Sequence, residues 1–244
     1  MGVLGRVHSI ESFGTLDGPG IRYVLFLQGC NFRCLYCHNP DTWATCTGKT
    51  MDSDDVIRDI LSYKNFIKSG GVTLSGGEPL IQADFAAAIL KGCREHNIHT
   101  ALDTAGSIPL SKSAPVLDLS DLVLLDIKSF DDNVARKISG YTNKRTLETL
   151  NYCEEKGIKV WMRQVLLPGY TLDYETLSAL ADYLKGFECV ELVELLPFHK
   201  MGEYKWEQLG FDYEMKDTQP PTPEELLKAR QVFENKGIKV LMKG

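Results

Sequence analysis

The stretch Cys30-Asn31-Phe32-Arg33-Cys34-Leu35-Tyr36-Cys37 follows closely on the apolar run 21–27 and has the spacing Cys-x3-Cys-x2-Cys. Three thiolates this close can hold three corners of a cubane iron–sulfur cluster, because cysteine thiolate is the usual ligand of such clusters. No fourth cysteine follows in register, so the fourth iron would be left for a small molecule. The motif therefore predicts a catalytic 4Fe–4S cluster held by Cys30, Cys34 and Cys37.

Two other interpretations of this cysteine loop remain open from the residues alone. A structural zinc site needs four ligands, and His38 or Cys46 could complete the set, although zinc ligands commonly come as two separated pairs. Disulfide bonding would leave one of three close cysteines unpaired. The odd total of seven cysteines favours a reducing compartment, and Cys93, Cys153 and Cys189 are expected to be packed as small apolar residues.

Composition and charge narrow the functional classes. The 244 residues include 43% apolar side chains and carry a net charge of −6, which is ordinary for a soluble globular domain. No long basic run occurs, so strong general affinity for nucleic acid or an anionic membrane is not expected. No apolar run reaches the length of a membrane span, and residues 1–10 lack a signal-peptide pattern. We therefore expect a cytoplasmic protein without nucleic-acid or membrane partners.

Short apolar runs alternate with amphipathic stretches along the chain, which is typical of βα units and a parallel sheet. The expected strands are residues 21–28, 72–75, 99–103, 122–127, 159–166 and 190–195, with a further edge element at 239–242. The expected helices are residues 53–69, 83–96, 144–156, 173–185 and 222–236, with a less regular one at 110–119. Residues 202–221 are polar and irregular, which predicts a surface loop.

Six βα units are too few for a closed eight-stranded barrel. The pattern predicts an α/β fold with a partial (β/α)6 TIM-like barrel, open and curved, and a flat doubly wound sheet is the alternative. No linker rich in Gly, Ser or Pro divides the sequence. A single domain over residues 1–244 is therefore expected, with an N-terminal extension, residues 1–20, packed on it.

Polar residues gather where the expected parallel strands end, which is the working face of α/β barrels. Each has a structural alternative: the glycines as a turn, Glu78 as a helix-start carboxylate, the aspartates as helix caps, and the other side chains as solvated surface groups. Their recurrence at successive strand ends favours a ligand site. They are Gly76-Gly77-Glu78, Asp103-Thr104, Asp126-Ile127-Lys128, Arg163 and His199.

The cysteine loop, with the aromatic Tyr36 before its third cysteine, resembles the signature of radical S-adenosylmethionine enzymes, and Gly76-Gly77-Glu78 resembles their second motif. The stretches Asp17-Gly18-Pro19-Gly20-Ile21-Arg22 and Tyr36-Cys37-His38-Asn39 resemble those of the glycyl-radical-enzyme activases. The likeness covers essentially the whole chain. Residues 39–51 leave no room for an inserted ferredoxin-like domain, so the chain is similar to the short, single-cluster type.

The resemblance implies a radical S-adenosylmethionine core with one 4Fe–4S cluster on Cys30, Cys34 and Cys37. It implies reductive cleavage of S-adenosylmethionine and abstraction of a hydrogen atom from a glycine of a partner enzyme, with pyruvate formate-lyase the expected partner. Flavodoxin or ferredoxin is the implied electron donor, and a monomer is expected. The alternatives are another glycyl radical enzyme as partner, a peptide or small-molecule substrate, and a non-catalytic zinc- or cluster-binding module.

The same resemblance implies contacts with S-adenosylmethionine. They are Gly76, Gly77 and Glu78 with the methionine amino group, Tyr36 and His38 along the adenine, Asp126, Ile127 and Lys128 at the ribose and carboxylate region, Arg163 at the methionine carboxylate or the partner's backbone, and His199 over the adenosine. Asp103, Thr104 and Asp126 are expected to form an oxygen-rich monovalent cation site, since hard cations prefer oxygen ligands. Asp17 is expected to act on the peptide substrate, and Gly18 and Gly20 to let that backbone come close.

Overall fold

The computed structural model describes residues 2–242 of the chain. Within them the chain forms nine strands and eight α-helices, and these fall into two compact units. Unit 1 comprises residues 2–31 and 42–124, and unit 2 comprises residues 32–41 and 125–242. The predicted single domain with its packed N-terminal extension stays a prediction, and its end residues 1, 243 and 244 lie outside the described part.

Unit 1 is built on a mixed sheet flanked by helices. Its elements are β1 (Leu4–Gly14), β2 (Arg22–Leu27), β3 (Lys49–Asp52), α1 (Ser53–Ser62), β4 (Gly71–Gly76), a short 3-10 helix (Pro79–Gln82), α2 (Ala83–Glu95), β5 (Thr100–Thr104) and α3 (Leu110–Leu117). β1 pairs antiparallel with β2 and β3, whereas β2, β4 and β5 run parallel. β2 and β4 are almost wholly buried, as expected for parallel strands that are covered on both faces.

Unit 2 repeats the βα pattern after β6 (Leu122–Asp126), which runs from one unit into the other along the chain. Its elements are α4 (Asp132–Ser139), α5 (Lys144–Lys156), β7 (Lys159–Leu166), α6 (Tyr174–Leu184), β8 (Val190–Pro197), α7 (Glu203–Gln208), α8 (Pro223–Glu234) and β9 (Val240–Met242). β7 pairs parallel with β8, and β8 pairs parallel with β9. Alternate residues of β7 are buried, as expected for a strand with one face on a core.

The hydrogen-bonded strand order within residues 2–242 is β3-β1-β2-β4-β5-β6-β7-β8-β9. The two ends of this order are different strands, so the sheet is open. The predicted class, an α/β fold with parallel strands and no closed barrel, is confirmed. All six predicted strands and the predicted edge element are present within a few residues of their expected bounds.

The structure corrects several local predictions. β1 and β3 were not expected, because their sequences alternate weakly and their pairing depends on each other and on β2. α1 ends at Ser62 rather than near residue 69, since the chain continues in turns, and Asp52 is its N-cap. α4 was also missed. The predicted irregular loop 202–221 contains α7 and buries Trp206.

Candidate active site

In unit 1 the glycine pair after β4 lies against the backbone that precedes Cys30. Gly77 N donates to Leu27 O at 2.9 Å and Glu78 N donates to Gly29 O at 2.8 Å. A Cβ placed on Gly77 would lie 2.2 Å from Gly29 O, a distance that no side chain can occupy. Gly77 is therefore a glycine because two segments of backbone approach each other here.

Glu78 is buried and makes bonds to the loop after β5. Its carboxylate accepts from Thr104 Oγ1 at 2.6 Å, from Ala105 N at 3.1 Å and from Leu80 N at 3.2 Å. Burial raises the pKa of Glu78, and these hydrogen bonds oppose the rise. Glu78 also caps the 3-10 helix Pro79–Gln82, so the expected helix-start role is observed, and the ammonium-binding role stays a prediction.

Asp103 stands at the end of β5, as predicted, and is not a helix cap. Its carboxylate accepts from Ser75 Oγ at 2.6 Å. Ser75 belongs to β4, so neighbouring strand ends are joined through side chains. The structure thus brings together Gly76, Gly77, Glu78, Asp103 and Thr104 at the carboxyl ends of β4 and β5.

The segment Asp17–Arg22 is organised by Arg22, whose own role was not predicted. The guanidinium is fully buried and donates to Pro19 O at 3.1 Å and to Val72 O at 2.6 Å. Burial lowers the pKa of Arg22 to about 10, against the opposing charges of Asp17 and Asp121. A buried cation that donates to two backbone carbonyls fixes the loop in front of β2.

The loop 17–22 also requires a glycine at position 20, because the backbone of residue 69 lies close to it. Gly20 has φ of +70°, and a Cβ on it would lie 2.2 Å from Ser69 O. Thr73 Oγ1 donates to Asp17 O at 2.7 Å and holds the other end. The expected approach of a substrate backbone to Gly18 and Gly20 stays a prediction.

The cysteine loop is held by backbone hydrogen bonds. In unit 2, Arg33 N donates to Ser139 O at 3.0 Å and Leu35 N to Ile138 O at 2.9 Å, at the end of α4. Cys37 N donates to Cys34 O at 3.0 Å, which closes a turn between the two cysteines. In unit 1, Cys30 N donates to Trp43 O at 3.3 Å.

None of the seven cysteines, all of which lie within residues 2–242, forms a disulfide bond. Cys34 is buried and Cys30 and Cys37 are half-buried, so the sulfurs of the motif are partly accessible. Cys93, Cys153 and Cys189 are buried, as predicted, and burial raises the pKa of the Cys93 thiol to about 12. Cys46 is exposed.

A charged pair follows β6 beside the cysteine loop. Lys128 Nζ lies 2.8 Å from Asp126 Oδ2. Burial alone would lower the pKa of Lys128, but the Asp126 carboxylate holds it well above its ordinary value. Tyr36 is buried and interacts electrostatically with this pair and with the cysteines. Its hydroxyl has no hydrogen-bond partner in the described structure. Burial raises the pKa of Tyr36.

Arg163 on β7 is paired with Glu194 on β8, which the sequence did not single out. Arg163 Nε lies 3.1 Å from Glu194 Oε2, with the two side chains 12% and 1% exposed. Arg163 O also accepts a hydrogen bond from Ile127 N at 3.1 Å, which joins β7 to the residue that follows β6. The signal that points to Glu194 is an acidic residue between the apolar neighbours Val193 and Leu195 of β8, since a carboxylate that is buried there needs a partner.

His38 and His199 lie against each other. Their ring centroids are 4.2 Å apart, and His38 Nε2 lies 3.0 Å from His199 O. Burial lowers the pKa of His38, and the bond to the carbonyl opposes this. The two imidazole rings, tilted by 34° to each other, offer an aromatic surface next to Cys37.

Comparisons with known proteins agree with this geometry. A family model described as the radical SAM superfamily matches residues 24–181. The pyruvate formate-lyase 1-activating enzyme of Escherichia coli K12 is 41% identical over 99% of this chain and 100% of its own length. The chain belongs to the radical SAM superfamily, in the family of pyruvate formate-lyase-activating enzymes. The pyruvate formate-lyase-activating enzyme of Clostridium pasteurianum is 46% identical over 88% of this chain and 91% of its length.

A solved structure is also similar to this radical SAM protein. It is a domain of a pyruvate formate-lyase-activating enzyme from Bacteroides vulgatus, with a TM-score of 0.61 and 27% identity. It covers 72% of this chain and 99% of that domain. Membership of the superfamily implies S-adenosylmethionine and a 4Fe–4S cluster as cofactors.

The cysteine loop of this radical SAM protein fits an iron–sulfur cluster. The soft thiolate donors are those that such clusters use, and backbone hydrogen bonds hold the loop that carries them. In residues 2–242 no three His, Cys, Asp or Glu side chains converge on one metal-ion position. A cubane does not need such convergence, because each cysteine binds a different iron.

No helix in the described range 2–242 is long and apolar enough to cross a bilayer.

Proposed function

We propose that this chain activates pyruvate formate-lyase by generating a radical on one of its glycines. The proposal rests on the sequence similarity to curated activating enzymes, which covers 99% of this chain for the Escherichia coli relative and 88% for the Clostridium pasteurianum relative. The short cysteine motif and the Asp17–Arg22 segment support it, since both belong to the part of the chain that these relatives share.

Cys30, Cys34 and Cys37 are the proposed ligands of a 4Fe–4S cluster. When bound, the cluster supplies one electron for the cleavage of S-adenosylmethionine, and the resulting radical removes a hydrogen atom from the glycine. The protein's own contribution is binding, orientation and exclusion of water. The backbone bonds from α4 to Arg33 and Leu35 keep the loop rigid, which a ligand set needs.

The remaining residues are suited to S-adenosylmethionine. Glu78 carries a carboxylate for the methionine ammonium. A carboxylate can accept about four hydrogen bonds, and Thr104, Ala105, Leu80 and, at 3.5 Å, Ser107 donate to this one, so the ammonium would replace the long bond from Ser107. The Asp126–Lys128 pair, with Ile127 between them, offers both charges to the ribose and carboxylate region. Gly76 and Gly77 bring backbone to the amino group, and Tyr36, His38 and His199 are the proposed adenosine contacts.

Arg163 is proposed to meet the methionine carboxylate or the partner's backbone, and Asp17 is proposed to act on the peptide substrate. The Arg163 side chain is 12% exposed. Part of its guanidinium can therefore contact a ligand while its Nε stays paired with Glu194. Asp103, Thr104 and Asp126 are the proposed ligands of a monovalent cation, and Asp103 contributes a carboxylate that Ser75 already orients. The proposed setting is a cytoplasmic monomer reduced by flavodoxin or ferredoxin.

The test is anaerobic reconstitution with iron and sulfide, reduction, and addition of S-adenosylmethionine and pyruvate formate-lyase. We expect a brown protein, formation of 5′-deoxyadenosine and methionine, and a glycyl radical detected by electron paramagnetic resonance. A partner variant with the target glycine replaced by alanine should give no such signal. Formation of 5′-deoxyadenosine without a glycyl signal on the wild-type partner would exclude pyruvate formate-lyase as the substrate.

A further inference from the structure

α7 (Glu203–Gln208), in the segment after β8, contacts the second half of the cysteine loop. The loop residues 32–41 and α7 belong to the same compact unit. Two consecutive helix residues, Lys205 and Trp206, reach the loop at three positions, 37, 39 and 41.

Trp206 holds the backbone of the third cysteine. Its indole Nε1 donates to Cys37 O at 2.8 Å, and the side chain is only 6% exposed. Its ring packs on Tyr213, with centroids 5.2 Å apart, and meets Phe211 edge-on at 6.3 Å. Because both rings fix the indole, its N–H points in one direction.

Lys205 holds the residues that follow. Its ammonium donates to Asn39 Oδ1 at 2.8 Å and lies 3.0 Å from Asp41 Oδ2. The Lys205 and Asp41 side chains are 20% and 30% exposed, so this ion pair is partly shielded from water and stronger than a surface pair.

Gly202, directly before α7, fixes the distance between the two segments. A Cβ on Gly202 would lie 2.6 Å from His38 Cα and 2.9 Å from His38 O. The backbone at Gly202 therefore lies against the backbone at His38, next to Cys37. Residues 202–206 contact the loop at Gly202, Lys205 and Trp206.

The loop is thus held at both halves by different elements. The end of α4 accepts the bonds of Arg33 N and Leu35 N in the first half, and α7 binds the second half. Resting on the proposed function, we propose that Lys205 and Trp206 are positioning residues that fix the Cys37 thiolate as a cluster ligand.

The physical reason lies in the peptide unit that follows Cys37. A hydrogen bond to the Cys37 carbonyl fixes the plane of this peptide and with it the direction of the Cα–Cβ bond that carries the sulfur. A functional constellation has to be held to within about 0.5 Å by such supporting contacts. Loss of an outer partner of a metal ligand typically weakens metal binding about 10- to 100-fold.

The deciding variant is Trp206→Phe, which keeps an aromatic ring and removes the indole N–H. The reconstituted wild type and variant are exposed anaerobically to an iron chelator, and the rate of iron release is followed together with the cluster absorbance. We expect release about 10- to 100-fold faster from Trp206→Phe. Trp161→Phe is the matched control, because the Trp161 indole donates instead to the surface residue Glu191 at 3.2 Å. It should release iron at the wild-type rate.

Lys205→Met supplies a second, independent test should Trp206→Phe fail to fold. It keeps an apolar stem of similar length and loses the bonds to Asn39 and Asp41, and it should also release iron faster. Lys159→Met is its control, since Lys159 pairs with Glu191 at the surface.

The outcomes separate this inference from the proposed function. A wild type that holds no 4Fe–4S cluster contradicts the proposed function. A wild type that holds the cluster, with iron release from Trp206→Phe and Lys205→Met equal to that from Trp161→Phe and Lys159→Met, overturns the positioning role alone.

Discussion

Thr104 Oγ1 donates a 2.6 Å hydrogen bond to the buried carboxylate of Glu78. Thr104 is the last residue of β5 and Glu78 lies two residues after β4, so this bond joins two strand ends at the carboxyl edge of the sheet. Glu78, which is predicted to bind the methionine amino group, thus also links two strands within the fold. Mutations can separate its binding role from its structural role.

Thr104→Val should destabilise unit 1. The substitution keeps the shape of the side chain and leaves the Glu78 carboxylate without this donor, which costs about 1–3 kcal/mol. Urea unfolding of the apoprotein measures the loss. Thr104→Ser keeps a hydroxyl and should retain most of the stability, whereas equal stability of the valine variant and the wild type would show that the bond contributes little.

Glu78→Gln should change how stability depends on pH. Burial raises the pKa of Glu78 above its ordinary value of 4.5, so the folded protein binds this proton more tightly than the unfolded chain does. Its contribution is therefore fully present below pH 4.5 and is lost as the pH rises through the raised value. The free energy of unfolding of the wild type relative to Glu78→Gln should fall over that range. A difference that does not vary with pH would contradict the raised pKa.

Gly77→Ala should be strongly unfavourable. Its Cβ would lie 2.2 Å from Gly29 O, so backbone has to move, and overpacking of this kind costs about 1–3 kcal/mol or more. Gly186→Ala is the control, because its Cβ would meet only Tyr183 O at 3.6 Å, an ordinary contact. The melting temperatures of the apoproteins compare the two. Equal melting temperatures would contradict the close approach.

Glu194→Gln should cost far more stability than Glu191→Gln, although both positions lie on β8 and pair with β7. The Arg163–Glu194 pair is buried, and removal of one partner leaves an uncompensated charge at a cost of about 3–5 kcal/mol. The Lys159–Glu191 pair is exposed, with side chains 65% and 40% accessible, and such pairs contribute about 0–1 kcal/mol. Chemical unfolding of both variants decides this, and similar losses would refute the distinction.

Cys34→Ala should abolish the 4Fe–4S form and all cleavage of S-adenosylmethionine, because it removes one of three thiolate ligands. Iron and sulfide content after anaerobic reconstitution, and the yield of 5′-deoxyadenosine, measure the effect. Cys46→Ala removes an exposed thiol close in sequence and should load iron normally. Retained cleavage by Cys34→Ala would refute the ligand assignment.

The sequence predicted the elements whose stability is decided locally. β7 and α5 were placed with their observed bounds, since one has a clear apolar pattern and the other ends at Gly157 with φ of +65°. The site residues were predicted because chemistry-bearing side chains recur at strand ends, and the structure places Glu78 and Asp103 at those ends.

The contacts that hold the candidate site could not be predicted from the sequence, because they join residues that are far apart along the chain. Arg22 binds carbonyls and side chains around β4, Glu194 is a partner for Arg163, and Trp206 meets Cys37 from 169 positions away. β1 escaped prediction for the same reason, since a half-exposed strand with weak alternation is fixed only by its neighbours. Local propensity carries no record of such tertiary pairing.

The backbone bonds of the cysteine loop have a consequence for any attempt to transplant it. Ser139 and Ile138 accept from the loop's amides, and Trp206 donates to its carbonyl, so the eight-residue signature contains the sulfurs but not the elements that hold them. A synthetic peptide copied from residues 30–41 would have to order itself at its own entropic expense. It should exchange iron with solvent far more readily than the intact protein does.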